Sequence, residues 1–291
     1  MTTSRRAIVV AVIVVLALVA AGAVAWHDTN VPRLREVTIE VPGLAREVTV
    51  LQVSDLESRR FGAGQSELAS LLGSRTLDAA VLTGDMTNIQ GPSEPIYELV
   101  DVVRAHTQRV YYLPGNRDQP YLAFDLARHG CSTLPTDGAV ALSDADPQGQ
   151  DVALVYGRDS ATIAAAGAKG RRLLVIASHT PPDANRLAAG AKVGSGTHLF
   201  IAGNTHGGQV RLPLVGALIA PMSWEDEQRA AGTFGNEIVL LPDLQGRLVD
   251  GLYQRDGQSV FVSRGLNSNT IPVRFLCQAE MVLFRFVPAA R

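Results

Sequence analysis

Carboxylates, imidazoles and amides recur at the ends of short aliphatic runs in this chain. They fall in five stretches: Ser54-Asp55-Leu56-Glu57, Gly84-Asp85, Gly115-Asn116-Arg117-Asp118, Ser178-His179-Thr180-Pro181 and Gly203-Asn204-Thr205-His206-Gly207-Gly208-Gln209. Carboxylate oxygen mixed with imidazole nitrogen is a donor set for a hard or borderline divalent cation. An arginine among such donors offers a planar, permanently charged fork that matches phosphate. Taken alone, Asp55 and Asp85 read equally well as helix N-caps or turn residues. Glu57 divides between coordinating a metal and pairing with Arg59 or Arg60, and Arg264 between reaching a phosphate and a structural ion pair. His27, His106, His129 and His198 stand outside these stretches and read as surface or core residues.

In order and spacing, the five stretches resemble the calcineurin-like metallophosphoesterases, whose pattern runs DxH, GD, GNHD, (S/G)HTP and GHTHGGQ. Three histidines of that pattern are replaced here, by Glu57, Arg117 and Asn204. The resemblance runs from Val37 to Phe286. The tail stretches Gly251-Leu252-Tyr253, Val262-Ser263-Arg264-Gly265-Leu266 and Ile271-Pro272-Val273-Arg274 also look like the membrane-anchored bacterial branch, some of whose members hydrolyse pyrophosphate bonds in lipid precursors.

The resemblance implies one metal position made by Asp55, Glu57, Asp85 and His206, and a second made by Asp85, Asn116, His179 and Asn204. Three carboxylates with one imidazole make the first a hard site suited to Mn²⁺ or Mg²⁺. The second has two neutral amides, and Asn204 offers only a carbonyl oxygen; it is expected to be weak or empty. In the family, the histidine at position 117 and the aspartate after it assist leaving-group protonation. A guanidinium stays protonated and cannot do this, so Arg117 is expected to bind phosphate, fixed by an ion pair to Asp118.

The implied activity is phosphoester or pyrophosphate hydrolysis by hydroxide from a metal-bound water, on a phosphorylated lipid or envelope precursor. The alternative is a catalytically inactive relative that binds such a ligand.

The elements that must position these residues are legible in part. Arg5-Arg6 precede an uncharged run from Ala7 to Trp26, which spans roughly 30 Å as a helix, the thickness of a bilayer core. The arginine bias puts the N-terminus inside and the rest outside a bacterial plasma membrane. Ala23-Val24-Ala25 also fits a signal-peptide cleavage site, which would release the domain. Residues 1–26 are therefore expected as anchor or signal, 27–35 as a polar linker, and 36–291 as one domain.

With Arg5 and Arg6 set aside, the 28 acidic side chains exceed the remainder of the 26 basic ones, which argues against a nucleic-acid surface. Cys131 and Cys277 either pair in an oxidising compartment or stay buried thiols. Oligomeric state is not legible.

Strands are expected at Val37–Val41, Val48–Val53, Ala79–Thr83, Arg109–Leu113, Val152–Tyr156, Leu173–Ala177 and Leu199–Ala202. Further strands are expected at Ile238–Leu241, Leu248–Tyr253, Val260–Ser263 and Met281–Phe286, and helices at Ser66–Leu72 and Pro95–Ala105. Alternating strands and helices punctuated by Gly and Pro imply βαβ units and a mainly parallel sheet. The fold class is α/β: two mixed sheets face to face with helices outside, the four-layer αββα sandwich the resemblance also implies. The apolar stretch Leu212–Met222 reads as core or as an exposed lip that meets a bilayer.

Overall fold

The computed structural model describes residues 3–290 apart from 144, 147, 150, 168–169, 194–195, 224–235, 256 and 268–270. It opens with α1 (Thr3–Asn30), whose segment Arg5–Asn30 contains an 18-residue stretch of mean hydropathy 3.1 with no residue buried against the rest of the chain. That helix is compatible with a membrane span or a signal sequence.

The first sheet contains β1 (Arg33–Val41), β2 (Val48–Val53), β3 (Ala79–Thr83), β4 (Val110–Leu113) and β5 (Ser132–Thr133). Helices α2 (Ser66–Leu72), α3 (Glu94–Arg104) and α4 (Leu122–Arg128) alternate with these strands. The second sheet starts with β6 (Ala139–Ala141), β7 (Val152–Tyr156), β8 (Leu173–Ala177) and β9 (Thr197–Ala202), with α5 (Ser160–Gly167) and α6 (Ala184–Ala191) between them. Two short antiparallel pairs follow: β10 (Arg211–Leu212) with β11 (Gly216–Ala217), and β12 (Ile219–Ser223) with β13 (Asn236–Leu240). The chain then adds β14 (Gly251–Arg255) and β15 (Gln258–Val262) to the second sheet and returns to the first as β16 (Glu280–Pro288).

The sheet orders are β1-β16-β2-β3-β4-β5 and β14-β15-β9-β8-β7-β6. Both are mixed: β16 runs parallel to β1 and antiparallel to β2, and β14–β15 and β6–β7 are antiparallel. Strands β3, β7 and β8 are buried along their whole length, because both faces are covered, which is why they read as unbroken aliphatic runs.

Between the sheets, Val50, Val81 and Leu113 pack with Leu154, Val175, Ile201 and Phe261. A second core joins Leu51, Leu82 and Tyr112 to Leu68, Leu99 and Leu126 of α2–α4. A third joins Val155, Ile176 and Phe200 to Ile163 and Leu187 of α5 and α6. Three cores separate four layers, so the expected α/β sandwich with an N-terminal helix is present.

Residues 27–35, read as a linker, contain the last turn of α1 and the start of β1. That turn is clasped by the domain. The Asp28 carbonyl accepts from the Ala279 N–H at 2.9 Å, its carboxylate accepts from the Cys277 N–H at 3.0 Å, and Thr29 Oγ1 accepts from the Arg274 N–H at 2.8 Å.

The stretch Leu212–Met222 divides. Leu214 is fully exposed at the tip of the β10–β11 pair, whereas Ala217 and Ala220 are buried; the side chains of Pro221 and Met222 lie outside the described residues. Cys131 and Cys277 are both free and buried.

Candidate metal centre

Each functional stretch begins where a strand stops: Ser54 after β2, Gly84 after β3, Pro114-Gly115 after β4, Ser178 after β8 and Gly203 after β9. Carboxyl ends of neighbouring strands converge, so loops from both sheets meet at one edge of the sandwich. They are bonded to one another. The Asp55 N–H donates to Gly84 O (3.1 Å), Glu57 N–H to Asp85 O (2.9 Å) and Gly203 N–H to His179 O (2.9 Å). From within the core, Gln52 Nε2 donates to Ala202 O across the sheet gap at 3.1 Å.

The backbone is strained at this edge. Asp55, Glu57, Asp85, Asn204 and His206 all have φ between 48° and 67°, the left-handed region that costs a non-glycine residue roughly 1–2 kcal/mol. Gly84 (φ 84°) is required here twice over, since a Cβ would lie 2.6 Å from Gly115 N and 2.8 Å from His179 Nδ1.

Ligand-capable atoms of Asp55, Asp85 and His179, all buried, lie within 4.8 Å of one another. His179 Nδ1 donates to the Thr83 carbonyl at 2.9 Å, leaving Nε2 3.4 Å from Asp85 Oδ2 and 2.9 Å from Asn116 Oδ1. His206 repeats the arrangement: Nδ1 donates to Asn267 O at 2.8 Å, and Nε2 stands 3.7 Å from Glu57 Oε1. Burial and then Arg274 hold the His206 pKa down to about 3, so the ring is neutral and Nε2 carries a lone pair. Fixing one ring nitrogen on a carbonyl so that the other faces a ligand position is the usual support of a metal-binding histidine.

The carboxylates are short of positive charge. Both oxygens of Glu57 are buried without a hydrogen-bond partner. Burial, then Asp55 and Asp85, push its pKa up to about 9. Burial raises Asp55 to about 7, with Asp85 adding to the rise and His179 opposing it. Asp85 is also raised by burial, but the His179 imidazole and the Arg117 N–H outweigh this and hold it below the ordinary carboxylate range. Lone pairs of imidazole and carboxylate facing each other in a buried space repel unless a cation or proton lies between them. The donor set therefore fits a divalent cation.

The compact trio takes Asp55 and Asp85 from the first expected ligand set and His179 from the second. Glu57 and His206 form a flank, with Asp85 between the two groups. Arg117 enters on that flank: its Nε is 3.8 Å from Glu57 Oε1 and 3.8 Å from Asp85 Oδ2.

The expected Arg117–Asp118 ion pair is corrected. Asp118 Oδ1 accepts from the Thr87 N–H (2.8 Å) and hydroxyl (3.3 Å), and Oδ2 from Gly115 N–H (2.9 Å) and Tyr112 OH (3.0 Å). Its oxygens are saturated by donors that tie the 84–88 loop to the 115–119 loop. Asn204 acts through its backbone, whose N–H donates to both Asp55 oxygens at 3.2 Å, while its buried Nδ2 has no partner.

Glu57 faces neither Arg59, which bonds Asn30 and Asn267, nor Arg60, which pairs with Glu98. Arg264 pairs with Asp250 at 2.8 Å. His106 bonds the Arg75 carbonyl and His129 stacks on Tyr97.

Sequence reasoning missed Arg274. Fully buried, it donates to the carbonyls of His206, Cys277, Arg264 and Asn267, and so shapes the loop that carries His206. Its stretch stood out in the sequence, but nothing in the pattern distinguished a support from a phosphate ligand.

No family model matches the chain. Over 87 residues it is 30% identical to the uncharacterized metallophosphoesterase YkuE of Bacillus subtilis (strain 168). The matched stretch covers 30% of this chain and 23% of that relative's length. The similarity supports the metallophosphoesterase superfamily at most, and the buried Asp-Asp-His cluster supports a divalent-metal site.

Proposed function

We propose that this chain is a phosphoric ester hydrolase that works with one divalent cation, Mn²⁺ or Mg²⁺, and a resident arginine in place of a second. The observation that carries the reading is the buried Asp55–Asp85–His179 cluster beside a Glu57 carboxylate with no hydrogen-bond partner. Asp55, Asp85 and His179 would hold the cation, with Glu57 and His206 on its flank. When bound, such a cation lowers the pKa of a water and offsets phosphate charge.

The chain's own residues do the rest. The Asn267 and Thr83 carbonyls fix both imidazoles with Nε2 turned inward. Arg117 presents a fixed charge and a planar donor fork to phosphate oxygens. Asp118 holds the two loops in register instead of orienting a proton donor. With arginine at that place no acid protonates the leaving group, so substrates whose leaving groups depart as stable anions are favoured.

The substrate class we propose is a phosphorylated lipid or envelope precursor at the outer membrane face, reached from the anchored domain through the exposed Leu214 lip. Leu214→Asp with Ile219→Asp should then lower turnover of a membrane-resident substrate and spare a soluble one. The second reading, an inactive phosphate-binding relative, is favoured by Arg117 and by the unpartnered Asn204 amide.

Hydrolysis of bis(p-nitrophenyl) phosphate and p-nitrophenyl phosphate by the Mn²⁺-loaded chain separates the two readings. Turnover that disappears in Asp85→Asn supports the hydrolase. Bound cation without turnover of either ester replaces it with the binding protein.

A further inference from the structure

A groove of about 560 Å³ opens where α1 meets the domain, lined by Trp26, Asn30 and Pro32 on one side and Arg59, Phe61 and Glu67 on the other. We infer that this groove is a binding site for the phosphate of an anionic phospholipid headgroup, seated on Arg59. The inference takes α1 as a membrane span and does not depend on the metal centre.

Position comes first. Trp26 closes the uncharged run and is 65% exposed, at the level where tryptophan marks the boundary between hydrocarbon and water. A groove that shares Trp26 with the end of a spanning helix lies among the headgroups. Its volume is that of a small-molecule site.

Chemistry comes second. Arg59 lies over the Phe61 ring, 4.6 Å from the centroid, and its fork is held by two neutral amide oxygens, Asn267 Oδ1 at 3.1 Å and Asn30 Oδ1 at 2.9 Å. Those bonds use only some of the guanidinium donors. Among the described residues no carboxylate pairs with it. Arg60 is already held by a bidentate bond to Glu98, and Glu67, the acid of the lining, is exposed. A half-buried arginine, oriented by stacking and amides and acted on by the Glu67 charge only from beyond ion-pair distance, is arranged to bind a phosphate. One of its two anchors, Asn30, belongs to α1 itself, so the site exists only where helix and domain join.

The test uses the full chain in a non-ionic detergent with EDTA, in a Trp224→Phe background so that Trp26 is the only tryptophan. Dihexanoyl phosphatidylglycerol, dihexanoyl phosphatidylcholine and inorganic phosphate are titrated while Trp26 emission is read. The expected result is saturable binding of phosphatidylglycerol, weakened about tenfold or more by Arg59→Gln and unaffected by Arg46→Gln outside the groove. Ser70→Phe, which fills the groove from its exposed rim and leaves Arg59 and the single tryptophan in place, should block the titration with an unchanged melting temperature.

Equal response to phosphatidylcholine, or full binding after Arg59→Gln or Ser70→Phe, overturns the site. Binding of inorganic phosphate as tight as phosphatidylglycerol, and equally sensitive to Arg59, overturns the lipid assignment and leaves a free-anion site.

Discussion

Replacing Glu57 by glutamine should stabilise the metal-free protein and flatten its pH dependence. The carboxylate is buried beside Asp55 and Asp85 with neither oxygen bonded, and its pKa rises from 4.5 to about 9. Between those values the folded chain keeps a proton on Glu57 that the unfolded chain has released. Stability therefore falls as pH rises through that window, by about 1.4 kcal/mol per unit. At pH 7 this accumulates to roughly 3 kcal/mol. Glutamine carries no such proton and removes the slope.

Asp55, raised to about 7, adds a slope of the same sign in both proteins below that pH, so the difference between the two curves isolates Glu57. The assay is urea unfolding of the full chain in non-ionic detergent with EDTA, from pH 5 to 9. Wild type should lose ground to Glu57→Gln steadily above pH 5, and saturating Mn²⁺ should reverse the order by neutralising the carboxylate. Parallel curves in EDTA would refute the picture of an uncompensated buried carboxylate.

Three further outcomes follow from the same geometry. Arg117→His restores a titratable group, and turnover of phenyl or alkyl phosphate esters should rise relative to p-nitrophenyl esters by up to roughly 10²-fold; an unchanged ratio would show that position 117 does not face the leaving group. Arg274→Met leaves the Cys277 and Arg264 carbonyls without that donor and takes one donor from each of the His206 and Asn267 carbonyls, and should cost about 3 kcal/mol or more in calorimetry and weaken Mn²⁺ binding roughly tenfold or more. A chain starting at Val31 should be about 3 kcal/mol less stable to urea than one starting at His27, since it loses the clasp made by Asp28, Thr29 and Asn30; equal midpoints would mean the clasp contributes nothing.

The strands that build the site were the most legible part of the chain. Val48–Val53, Ala79–Thr83, Val152–Tyr156 and Leu173–Ala177 have the bounds the sequence implies, because each is a mostly apolar run cut off by a glycine or a serine, at Ser54, Gly84, Gly157 and Ser178. Helices α4, α5 and α6 were not anticipated. The residues of α5, Ser160-Ala161-Thr162-Ile163-Ala164-Ala165-Ala166-Gly167, lack a polar face to contrast with the apolar one, and α6 starts abruptly at the Asp183 N-cap after two prolines. The insertion of β16 between β1 and β2 pairs segments at opposite ends of the chain, and no local period encodes such a partner.

In the site, residue types pointed to the loops that meet, whereas hydrogen-bond partners were not readable. Asp118 bonds Thr87 and Tyr112 instead of its neighbour Arg117 because the register of β3 and β4 brings those donors closer. Arg274 was invisible as a support because its partners are backbone carbonyls, which every sequence possesses.

A single buried divalent-cation site built on Asp55, Asp85 and His179 is tested most directly by metal content. The full chain is loaded with Mn²⁺, desalted and analysed by inductively coupled plasma mass spectrometry beside Asp85→Asn. About one ion per chain in wild type, lost in the variant, is the predicted result for one hard-ligand site. No retained ion in either protein, or equal retention in both, would contradict the claim.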